Sequence, residues 1–126
     1  MLTISKTEEL RRLITAQLNT VPGKTYHRYA PDTADYPYKT FELSRVNLQD
    51  PERDDIDLCV DVWDHAVDPK AVEQIADAIE ALLNAANLPQ THILPTFFRD
   101  NRYPVSEDDK TIQHIQLHFT VQNYTR

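Results

Sequence analysis

The chain of 126 residues contains a single glycine, Gly23. Glycine-rich phosphate loops, dinucleotide fingerprints and the nucleophile elbow of hydrolases each need several glycines at fixed spacing, so none of these is present. Cysteine is equally scarce. Cys59 alone cannot close an internal disulfide, which suits a reducing compartment such as a bacterial cytosol. No apolar run approaches the ~18–20 residues of a membrane span. The start, Met1-Leu2-Thr3-Ile4-Ser5-Lys6, lacks the basic segment and long apolar stretch of a signal peptide. Positive charge is also in deficit: 13 Lys and Arg against 20 Asp and Glu leave a net charge of −7. A nucleic-acid grip is basic, because phosphate neutralisation supplies most of its affinity. The plain reading of the acidic balance is solubility; the sharper alternative is that some acidic surface repels something anionic.

What remains is ordinary for one globular domain: 40% apolar and 26% charged residues, in a chain long enough for one core. Ser5 to Val21 reads as a helix. Ser5 and Glu8 resemble a capping box, Leu10, Leu13, Ile14 and Leu18 share a face, and Pro22-Gly23 ends it. Thr25 to Asp35 reads as a short extended piece and a loop. A strand then runs from about Tyr36 to Asn47, with Phe41 and Leu43 alternating against Glu42 and Ser44. Asn47 to Asp55, with Pro51, reads as a polar loop. The next strand, Ile56 to His65, points Ile56, Leu58, Val60 and Val62 one way, and Asp57, Cys59, Asp61 and Trp63 the other.

Asp68-Pro69 opens a second helix, as N-cap and first helical residue. Val72, Ile75, Ile79, Leu82 and Leu83 form its stripe, and Asn87 is expected as a left-handed cap ahead of Leu88-Pro89. Thr91 to Arg99 reads as a strand whose Pro95 places it at an edge or a bulge. A polar loop, Asp100 to Lys110, leads to a last strand, Thr111 to Tyr124, with Ile115, Leu117, Phe119 and Val121 on one face. The expected fold is α+β, a two-layer sandwich in the order α-β-β-α-β-β, with two helices on one face of a mainly antiparallel sheet. Residues 1–126 form one domain.

A search for chemistry finds little. His114 and His118 share a strand face, but four residues of strand span about 13 Å, too far for two ligands of one ion. His65 beside Asp64 lacks a third partner. Cys59 sits mid-strand among apolar neighbours, where a free cysteine is usually a small packed side chain. Asp54, Asp55, Asp57 and Asp61 are unaccompanied by a base, nucleophile or ligand set. No catalytic residue, metal site or cofactor is therefore expected.

Contact residues are easier to nominate. Trp63 points away from the Val60 and Val62 stripe, and a large aromatic there needs a cover from its own chain or from another subunit. Arg45, Arg53, Arg99, Arg102 and Tyr103 lie in or beside the two long tips, and Arg and Tyr are favoured interface anchors. These six residues are the candidate subunit or partner interface. Mobile tips with no partner are the plainer alternative.

Taken in order, Tyr29-Ala30-Pro31 before Tyr36-Pro37-Tyr38, Val62-Trp63 ahead of the helix Pro69–Ala86, Phe98-Arg99-Asp100-Asn101-Arg102, and the final Ile112-Gln113-His114-Ile115-Gln116-Leu117-His118-Phe119 form a pattern. It resembles the small tail-completion proteins (tail terminators or head–tail joining proteins) of long-tailed phages and prophages, over nearly the whole chain. The Tyr29–Pro37 approach lacks the glycines that such relatives tend to carry.

The resemblance implies a structural protein without enzymatic activity, assembled in the host cytoplasm and resident in the virion tail or neck. It implies a homo-oligomeric ring, commonly a hexamer, that caps the tail tube. Its partners would be itself, the tail tube protein and a head-completion or connector protein. DNA would pass through the ring without specific binding, and no membrane is involved. Three other readings stay open: a different neck or minor tail subunit, a cytosolic adaptor, and a small ligand-binding or enzymatic domain with a pocket near Asp57, Asp61 and His65.

Overall fold

The computed structural model describes residues 4–50 and 52–126. Pro51 and the first three residues, which entered the sequence reading, lie outside the described residues. The elements are α1 (Lys6–Leu18), β1 (Lys24–His27), β2 (Tyr38–Asp50), β3 (Arg53–His65), α2 (Lys70–Leu83), β4 (Ile93–Pro104) and β5 (Ile112–Thr125). The five strands form one mixed sheet in the order β1-β2-β3-β5-β4. Only β1 and β2 pair in parallel; the other three ladders are antiparallel.

The helices form where their apolar stripes direct. Ser5 Oγ accepts the Glu8 backbone N–H at 3.0 Å, and Leu10, Leu13, Ile14 and Leu18 are buried. α2 begins at Lys70, so Pro69 rather than Asp68 is its N-cap residue; Asp68 Oδ1 accepts the Lys70 N–H at 2.8 Å, and Val72, Ile75, Ala76, Ile79 and Leu83 are buried. Both stripes join one core with Ile56, Leu58, Val60 and Val62 of β3 and Ile115, Leu117, Phe119 and Val121 of β5. The strict alternation along β3 and β5 puts all eight on one side of the sheet. Pro95 lies on β4, an edge strand as its missing N–H requires.

Several sequence expectations are corrected. The extended piece after Gly23 is a true strand, β1, so the order is α-β-β-β-α-β-β rather than α-β-β-α-β-β. The four-residue β1 is too short to show an alternation. The expected loop at Asn47–Asp55 is mostly strand, because β2 and β3 stay paired to Asp50↔Arg53. Polarity misled there: Arg53, Asp54 and Asp55 are strand residues held by ion pairs, Arg53 to Asp55 and Asp54 to Lys6 of α1. β4 likewise continues through Asp100 to Pro104 despite its polar sequence, with a register shift between Arg99 and Asn101. The left-handed residue after α2 is Ala85 (φ 58°), not Asn87. The Asn87 amide instead donates to Thr96 Oγ1 at 3.0 Å.

A lysine lies inside. Lys39 of β2 is fully buried, and its ammonium donates to the carbonyls of Val21 and Pro22 at 3.0 Å each and to that of Gly23. Three carbonyls left over where α1 turns into β1 are thus satisfied by one side chain. Gly23 is required at this turn: its φ is +94°, and a Cβ would stand 3.0 Å from the Pro37 carbonyl oxygen.

Candidate interaction surfaces

The side of the sheet opposite the core carries the chain's concentrated polar and aromatic groups. Period-two alternation on β3 sends Asp55, Asp57, Cys59, Asp61 and Trp63 there, and pairing with β5 sets Trp63 against His114 and Cys59 against His118. Tyr38 of β2 is paired with Trp63 from the other side. The result is a row of rings: Tyr38 lies 6.2 Å from Trp63, and His114 stacks on Trp63 at 3.6 Å. Trp63 is half-buried, covered largely by its own chain, although its indole N–H has no hydrogen-bond partner among the described residues.

His114 is the centre of this surface. It is buried, and each ring nitrogen meets a carboxylate: Nε2 lies 2.5 Å from Asp61 Oδ1, and Nδ1 lies 2.8 Å from Glu107 Oε1 of the loop after β4. Gln116 Nε2 donates to the same Asp61 oxygen at 3.0 Å. Burial alone would raise the Asp61 carboxyl. The hydrogen bonds from His114 and Gln116, the charge of His114 and the Cys59 thiol outweigh it, and hold Asp61 below the ordinary carboxyl range. Cys59 shows the opposite: burial first, then the Asp61 carboxylate, push its thiol up to about 12. Such a cysteine is no nucleophile at neutral pH. Among the described residues, no three His, Cys, Asp or Glu side chains gather as a metal-ligand group.

The six nominated residues fall into three places. Trp63 belongs to the ring row. Tyr103 stacks on His118 at 5.5 Å, and its hydroxyl bonds Gln116. Arg45 and Arg53 lie on the β2–β3 hairpin: Arg45 Nε donates to Asn47 Oδ1 at 3.0 Å, and Arg53 pairs with Asp55 beneath the Tyr124 ring. Arg99 and Arg102 lie on the other side of the sheet, against α2. Both reach Glu80, at 2.9 and 3.1 Å, and Arg102 also reaches Asp77 at 2.6 Å. Sequence reasoning missed this pairing and missed His114 as a hub. The α2 carboxylates at helical spacing, Asp77 and Glu80, were the available signal for the first; the second needs the β3–β5 register. A groove of about 350 Å³ beside Glu107 and His114 is lined also by Pro69, Val72 and Lys110, but not by Asp57, Asp61 or His65.

The model of the family described as "Tail completion protein gp17" matches residues 9–122, and the chain belongs to this family of phage tail-completion proteins. It is a structural protein of the virion tail or neck. A chain from a solved structure titled "Virion of native gene transfer agent (GTA) particle" shares the fold, with a TM-score of 0.70, 15% identity, and coverage of 95% of this chain and 92% of that one. No curated protein matches. No helix among the described residues is long and apolar enough to cross a membrane.

Proposed function

We propose that the protein closes into a ring of identical subunits that caps the tail tube and presents its other rim to the head connector, with no catalytic activity of its own. The family match over residues 9–122 carries this reading. The fold shared with a chain of a gene transfer agent virion supports it. With two helices layered on one side of the sheet, the edges and the opposite face remain for neighbouring subunits. A head-to-tail contact between identical subunits closes into a ring when its rotation permits. The net charge of −7 disfavours retention of DNA in the passage.

Light scattering across a concentration series tests the ring. A closed oligomer at a fixed multiple of 14.6 kDa is expected. A monomer at every concentration points instead to another neck or minor tail subunit, or to an adaptor. Titration with duplex DNA at physiological salt should give no retained complex, and tight binding would sink the passage argument.

A further inference from the structure

The sheet has two backbone stretches with no partner, one at each edge, and they fit each other. On one side β1 and Arg28 cover β2 only as far as Phe41. The outer edge of β2 from Glu42 to Leu48 is unpaired among the described residues. On the other side the segment after α2 covers the first half of β4, through Leu88 N–H to the Pro95 carbonyl and Phe97 N–H to the Ala86 carbonyl. The outer edge of β4 from Phe98 to Tyr103 is likewise unpaired by any described backbone.

Uncovered strand edges are normally blunted by proline, by lysine or by shortness. Neither stretch contains a proline or a lysine, although each carries charged residues and one register shift. Both carry exposed apolar side chains instead: Val46 and Leu48 are 43% and 80% exposed, and Phe98 and Tyr103 are 41% and 44% exposed.

Strand direction selects the occupant. β2 and β5 run one way, and β3 and β4 run the other. A second copy set alongside in the same orientation therefore brings its β4 antiparallel to β2, the more favourable ladder. The geometry points to a second copy of this chain as the partner: β2 of one subunit (Glu42–Leu48) pairs with β4 of the next (Phe98–Tyr103), so that one sheet continues from subunit to subunit. This deepens the proposed ring and rests on it.

The two free stretches are not level. Through the ladders, Glu42 lies level with Asn101 and Arg45 with Phe98. Full overlap needs a slide of two to three residues between copies, about 7–10 Å. A stagger of this kind is what tilts strands from the axis when a sheet closes on itself.

Cysteines at exposed Ser44 and Asn101 test the pairing, with a thiol cross-linker of about 10 Å reach to span one register step. Native Cys59 stays in place, since its thiol is pushed up to about 12. The chain carrying both Ser44→Cys and Asn101→Cys should give bands at two, three and more times 14.6 kDa. Neither single variant should link to itself, and a mixture of the two singles should give the dimer band only. Strong self-linking of Ser44→Cys would mean a symmetric β2–β2 contact and overturn the pairing. A closed oligomer by light scattering without cross-links in the double variant overturns the pairing and leaves the ring standing. A monomer at every concentration removes both. As a second check, Val46→Lys puts a charge on the free edge, and assembly should then need about tenfold more protein.

Discussion

The imidazole of His114 lies nearly parallel to the indole of Trp63, with ring centroids 3.6 Å apart and 15° between the planes. The stack holds His114 where both its nitrogens reach carboxylates, one on β3 and one on the loop after β4. His114→Ala should cost about 2–4 kcal/mol, because Asp61 and Glu107 lose their shared partner while Asp61 remains half-buried. Adding Asp61→Asn should recover part of that loss by removing the stranded charge. Denaturant unfolding followed by the emission of the single tryptophan measures both. A His114→Ala variant as stable as the parent would show that the hub is unimportant.

Asp61 makes stability depend on acid. Its folded-state pKa lies below the ordinary 3.8, so the unfolded chain binds the proton more readily. Its contribution is complete above that ordinary value, and is lost as pH falls through the lower folded value. The parent should therefore exceed Asp61→Asn in Tm at pH 7, and the gap should close well below pH 3.8. A gap independent of pH would mean that packing, and not the charge, sets the effect.

Lys39 titrates at the opposite end. Burial lowers its ammonium from 10.5 to about 8. Between those values the unfolded chain holds the proton and the folded chain does not, so stability rises with pH across this window. The reference is Lys39→Met, which fills the space but leaves three carbonyls with no donor. That variant should be less stable by about 1–3 kcal/mol, the cost of an unsatisfied buried polar group. The parent's advantage over it should grow from pH 8 toward 10.5, as read by Tm. A constant difference would mean that Lys39 keeps one protonation state throughout.

These residues show what the sequence could and could not disclose. The helix stripes and the alternation of β3 and β5 were legible because one face of each is buried, and burial selects apolar residues at a fixed period. Pro95 marked an edge strand because its missing N–H leaves no other place for it. The charged end of the β2–β3 hairpin was illegible because its residues are paired with one another and with Lys6, so no apolar period marks them. The piece after Gly23 read as extended, but its pairing with β2 did not show, because that depends on where Lys39 and Gly23 bring the chain back. Trp63 could be seen to point away from the core. That Tyr38 and His114 flank it depends on strand register, which single-strand patterns do not contain. Arg99 and Arg102 looked free for a partner because their carboxylates lie about twenty residues upstream, on α2.

The nominated arginines should accordingly divide into two kinds. Arg102 is three-quarters enclosed and is shared between Asp77 and Glu80. Arg102→Ala should therefore lower stability by about 1 kcal/mol, and a double-mutant cycle with Glu80→Gln should show coupling. Arg45 is exposed and, among the described residues, bonded only to Asn47, two residues away. It also lies on the unpaired edge of β2, so Arg45→Ala should leave the unfolding transition where it is and weaken self-association instead. Measuring unfolding and solution mass on the same two variants separates the roles. If Arg45→Ala destabilises the monomer, or if Arg102→Ala alone abolishes assembly without touching stability, the assignment of inner and outer arginines is reversed.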